Sequence, residues 1–155
     1  MALAAGVWLA LIAFAPLLPV PVAGAVYLAG SLICHQRPDR SFHFAGAQLP
    51  VCARCAGIYA GAVLCLGFWV LGFRAPGSTV RRSRVVLVAA AIPTVFTVVM
   101  EWLGQWAPSN LARALAGAPL GAAVAFVVAD VVAKLHYEAC APQRPIAPRP
   151  PPTPI

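Results

Sequence analysis

Acidic side chains are nearly missing from this sequence: Asp and Glu together number 4 in 155 residues, and charged residues of both signs make up only 10%. Soluble domains carry about 25% charged residues, so an ordinary water-facing surface is excluded. No Lys or Arg precedes Arg37. The N-terminal apolar run therefore lacks the basic head of a secretory signal, and residues 7–25 are expected to stay in the protein rather than be cleaved after the small residues of VAGA. No internal repeat is visible, and no second CxxC accompanies Cys52 and Cys55. The 11 basic residues form no stripe with interleaved aromatics, so the formal charge of +7 does not mark a nucleic-acid binder.

Apolar residues are what the chain has in quantity, 61% of it, with a mean hydropathy of +0.84. Residues 6–33, 51–73, 85–107 and 111–133 form four apolar runs, each long enough for the roughly 20-residue helix that a bilayer demands. A soluble domain of this size has too little interior to hide them. The expected fold is all-α, an integral membrane four-helix bundle with a Cys/His-rich extracytoplasmic loop. Residues 1–138 form the four-span domain and residues 139–155 a proline-rich cytoplasmic tail. Pro16, Pro19 and Pro21 in APLLPVPV are expected to bend the overlong first span.

Basic residues set the orientation. Arg74, Arg81, Arg82 and Arg84 crowd the link between the second and third runs, and Lys134, Arg144 and Arg149 follow the fourth. Only Arg37, Arg40, Arg54 and Arg113 belong to the other ends. The positive-inside rule then puts both termini in the cytoplasm of a protein of the cell's inner (plasma) membrane, with lipids as its neighbours. Small-residue ridges at Ala53, Gly57, Gly61 and at Arg113, Gly117, Gly121 recur every four residues, suited to close helix contact within the chain or in a homo-oligomer.

Nearly all chemistry-capable residues fall at one end of this arrangement. Cys34 and His35 end the first run, Cys52 and Cys55 begin the second, Glu101 and Gln105 end the third, and Asn110 and Arg113 begin the fourth. Two thiolates three residues apart can reach one tetrahedral zinc ion, with Cys34 and His35 (or His43) completing the set. If one position stays open to water, zinc lowers that water's pKa, Glu101 with Gln105 on its helical face relays the proton, and Arg113 meets an anionic intermediate. That reading is a metal-dependent enzyme acting at the outer leaflet on a lipid or small polar substrate. The same cysteines also allow thiol–disulfide redox chemistry, because a helix N-terminus and Arg54 favour thiolate. A structural metal or disulfide clip without catalysis, and a small transporter, complete the alternatives.

The string CHQRPDRSFHFAGAQLPVCARCAGIYAG resembles the signature of an uncharacterised family of small prokaryotic multispanning membrane proteins, in which CHQxPxRSF is followed by PVCARCxGIYxG. The likeness runs closely from Cys34 to Gly61 and more loosely through Glu101, Gln105, Asn110 and Arg113 to Gly121. Glutamate at 101 stands where the resemblance implies aspartate, and Ala56 where it implies threonine. It implies a single grouped site but names no activity.

Overall fold

The computed structural model describes residues 1–73 and 79–140. Five α-helices carry the fold: α1 Ala2–Phe14, α2 Val20–Ser31, α3 Ala53–Val70, α4 Val80–Trp102 and α5 Asn110–Cys140. A two-stranded hairpin, β1 Ser41–Phe44 and β2 Ala47–Cys52, fills the segment between α2 and α3.

Among the described residues, three helices, not four, are long and apolar enough to cross a membrane: α3, α4 and α5. This corrects the expected four-span bundle, and the prolines supply the reason. The first apolar run breaks after Phe14 into a 3₁₀ turn at Ala15–Leu17 with Pro16 at its centre, and Pro19 and Pro21 open α2. With 13 and 12 residues, α1 and α2 reach only about 20 and 18 Å, against a hydrocarbon core of about 30 Å. A bend was expected where the chain breaks. α4 and α5 absorb Pro93 and Pro119 without interruption. The expected tail falls partly within α5, which continues to Cys140; residues 141–155, and with them Arg144 and Arg149, lie outside the described residues, as does Arg74.

α3 and α5 pack most intimately, and the small-residue ridges are the cause. A Cβ on Gly57 or Gly61 would overlap the backbone carbonyls of Ala114 and Ala118, and one on Gly121 would overlap that of Ile58. Hydrocarbon gives no driving force for burying more hydrocarbon, so close backbone approach is the main source of attraction here. α1 lies along α3: Ala2 and Ala5 pack near Leu66, Ala125 and Ala129 at one end, and Ile12 packs against Cys34 and Val51 at the other. α4 joins through α5, with Thr94 Oγ1 donating to the Ala116 carbonyl at 2.7 Å.

Where a Cys/His-rich loop was expected, the chain forms a hairpin. Its turn is Ala45–Gly46, both at positive φ (51° and 80°), the conformation that lets a two-residue connection match the twist of paired strands. Ser41 pairs with Cys52 and His43 with Gln48. Polar side chains tie the hairpin down. Gln36 Nε2 donates to the carbonyls of Tyr27 and Pro50, each at 2.7 Å, Gln48 Nε2 donates to Gln36 O, and the Tyr27 hydroxyl donates to Gln48 O. Gly30 lacks the Cβ that would strike the Pro50 carbonyl, so α2 can end directly over β2 and deliver Cys34 beside it.

Candidate metal centre

Cys34 follows α2, Cys52 ends β2 and caps α3, and Cys55 sits in the first turn of α3. Their sulfurs all lie within 4.8 Å of one another. The three thiols are free of disulfides. The Cys34 sulfur accepts the backbone N–H of Cys52 at 3.1 Å, so the two segments meet through the sulfur itself. The Cys55 thiol donates to the Cys52 sulfur, and the backbone N–H groups of the opening turn add to it; together they outweigh burial and lower the Cys52 pKa to about 5. The smaller, backbone part of this shift is the effect expected of a sulfur on unpaired helix-terminal amides.

A pocket of about 320 Å³ borders the cluster, lined by the three cysteines together with His35, Arg37, Arg40 and Arg54. His35 is exposed and falls outside the 4.8 Å group. His43, on β1, is exposed as well. Among the described residues the three cysteines are the one set of such ligand-bearing groups that converges.

Glu101 forms a second cluster beside the first. Its Oε1 accepts from Arg113 Nη2 at 2.6 Å and Nε at 3.1 Å, and its Oε2 accepts from Arg54 Nη2 at 3.0 Å. Arg40 Nε stands 3.7 Å from Oε1. The Glu101 side chain is 6% exposed, with Arg113 at 9% and Arg54 at 17%. Such pairing is what permits a carboxylate to be this deeply buried in the fold. Arg113 also donates to Asn110 Oδ1 at 2.9 Å, and Asn110 Nδ2 donates to Ser41 O at 2.9 Å, which fastens the hairpin to α5. Ser109 Oγ, accepting from Ala112 N, caps the helix that carries both.

Gln105 lies beyond the end of the helix that carries Glu101. α4 ends at Trp102, the chain turns at Gly104 (φ 66°), and Gln105 is exposed beyond it. The shared helical face expected of positions 101 and 105 requires a helix that has already stopped. Sequence reasoning also missed Arg54 and Thr97 as partners: Arg54 Nη2 donates to Thr97 Oγ1 at 3.3 Å. Thr97 stands four residues before Glu101, so the helical period was an available signal.

Residues 34–127 match the family model described as "Predicted membrane protein (DUF2085)". An uncharacterized protein of Methanothermobacter thermautotrophicus (strain Delta H) is 32% identical over 93 residues, 60% of this chain and 81% of that protein. An uncharacterized protein of Methanocaldococcus jannaschii is 30% identical over 118 residues, 73% of this chain and 72% of that protein. No solved structure matches the chain.

Proposed function

This chain belongs to the membrane-protein family DUF2085, and from that premise we propose that Cys34, Cys52 and Cys55, with His35 as fourth ligand, hold one zinc ion as a structural clip. The ion ties the end of α2 and the hairpin to the first turn of α3. The observation that carries this reading is the convergence of three sulfurs from two chain segments within 4.8 Å. Zinc–sulfur bonds of about 2.3 Å in a tetrahedron place sulfurs about 3.8 Å apart, so the cluster needs only a small contraction. His35 lines the same pocket, and we assign it the fourth position. A site closed by four protein ligands is structural in character, whereas catalytic zinc keeps a position open.

Glu101 supports the same choice. Both of its oxygens are engaged by arginines, so it serves as a joint between α3, α4 and α5 rather than a mobile proton relay. In this reading the α3–α4 link and the C-terminal end of α5 face the cytoplasm, because Arg81, Arg82 and Arg84 open α4 and Lys134 lies late in α5. The site then belongs to the opposite surface of the inner membrane.

Elemental analysis of protein purified without a metal-chelating resin tests the proposal. About one equivalent of zinc is expected, falling below about a tenth in Cys34→Ser, Cys52→Ser or Cys55→Ser. Glu101→Gln is expected to unfold more easily by about 3 kcal/mol, since it leaves buried guanidiniums unpaired, while keeping its metal. The low pKa of Cys52 and the Cys55 thiol beside it favour a second reading, a Cys52–Cys55 redox pair. Joint protection of those two thiols from alkylation, released by reductant in metal-free protein, would select it.

A further inference from the structure

Arg37, Arg40 and Arg54 line the pocket beside the cysteines, and Arg113 shares the Glu101 carboxylate with Arg54. Four guanidiniums there face two carboxylates, Asp39 and Glu101. Like charges this close repel one another, and partial burial removes much of the water that screens them.

Their donors are also underused. The Nε–H groups of Arg40 and Arg54 are buried and make no hydrogen bond. For Arg40 the nearest carboxylate oxygens, at 3.4 Å on Asp39 and 3.7 Å on Glu101, give attraction without bond geometry. Buried donors are nearly always satisfied. A planar guanidinium fork matches a tetrahedral oxyanion better than a single carboxylate oxygen shared among several arginines.

We propose that this pocket binds an oxyanion of the phosphate class, held by Arg37, Arg40 and Arg54 against the thiol cluster. The volume of about 320 Å³ is at the small end for ligand pockets, enough for an anionic group rather than a large molecule. Two sources carry this chemistry: a free phosphate or phosphate ester, and the headgroup of an acidic phospholipid, whose chains would lie against Leu32 and Ile33, 81% and 58% exposed next to Cys34. The anion site stands on the arginines and does not rest on the zinc reading.

The full chain in a maltoside detergent, titrated calorimetrically with inorganic phosphate, tests the first source. The second is tested in phosphatidylcholine nanodiscs by the immobilised fraction of spin-labelled phosphatidic acid relative to spin-labelled phosphatidylcholine. Saturable phosphate binding, or preferential immobilisation of phosphatidic acid, is expected, and each loses about tenfold or more in affinity in Arg40→Gln. Arg40 approaches Glu101, so Arg37→Gln, at an exposed side chain, repeats the test clear of the buried ion pairs, and Arg81→Gln at the start of α4 should change nothing. The proposal is overturned if neither probe binds, if both arginine variants bind as the unmodified chain does, or if Arg81→Gln loses as much. Zinc analysis on the same samples separates the two readings: metal-free protein that still takes up phosphate keeps this one and sinks the other.

Discussion

Cys52 holds several positions at once: last residue of β2, cap of α3, and acceptor for the Cys55 thiol. A free cysteine titrates near about 8.5, and a sulfur on helix-terminal amides well below that. With its pKa lowered to about 5, Cys52 is a thiolate at neutral pH and gains a proton only as pH falls through that value. In metal-free, reduced protein, iodoacetamide modification of Cys52, followed by peptide mass spectrometry, should therefore lose half its rate near pH 5. A midpoint close to the free-cysteine value would mean that neither the Cys55 thiol nor the opening turn of α3 acts on the sulfur. The grouping of Cys34, Cys52 and Cys55 was legible because a CxxC at a helix start fixes two sulfurs on one face. The partners of Glu101 were only half legible. The sequence already placed Glu101 and Arg113 at adjoining helix ends, but the bond of Glu101 to Arg54 depends on how α3 and α4 cross, which no local spacing encodes.

Among the elements, α3 and α5 show how far a sequence pattern can reach. Glycines four apart announce a smooth ridge, and the structure sets each ridge on the other helix's backbone. Replacing Gly61 with Val forces its side chain into the Ala118 carbonyl, where no rotamer change relieves it, and should destabilise the chain by about 3 kcal/mol. Gly67, on the same helix, has open space around its would-be Cβ, so Gly67→Val is expected to be nearly silent. Helicity followed through an SDS titration compares the two, and equal losses would show that the ridge contact contributes nothing special. The first apolar run misled for the opposite reason. Its length suggests one crossing, yet Pro16, Pro19 and Pro21 lie within six residues; Pro16 sits in the break after α1, and Pro19 and Pro21 suit the start of a new helix rather than the interior of an old one. The hairpin was hidden because Ala45 occupies a left-handed position usually marked by glycine or asparagine.

On the scale of the whole molecule, the two ends of the spanning helices use positive charge differently. Arg81, Arg82 and Arg84 are exposed at the start of α4, where the rule relating cytoplasmic loops to Lys and Arg applies directly. Arg54 and Arg113 at the other end are engaged by Glu101 inside the fold, so they count toward the site more than toward orientation. This strengthens the bias that a simple residue count understates, and it makes sidedness measurable. A membrane-impermeant maleimide should reach Cys52 in metal-stripped protein from outside intact spheroplasts, and should reach Arg81→Cys, in a chain otherwise lacking cysteine, only in inverted vesicles. Reversal of both results would put the thiol cluster in the cytoplasm. Labelling of both positions from one side would be more damaging: α3 alone separates Cys52 from the α3–α4 link, so that outcome would deny that α3 crosses the bilayer.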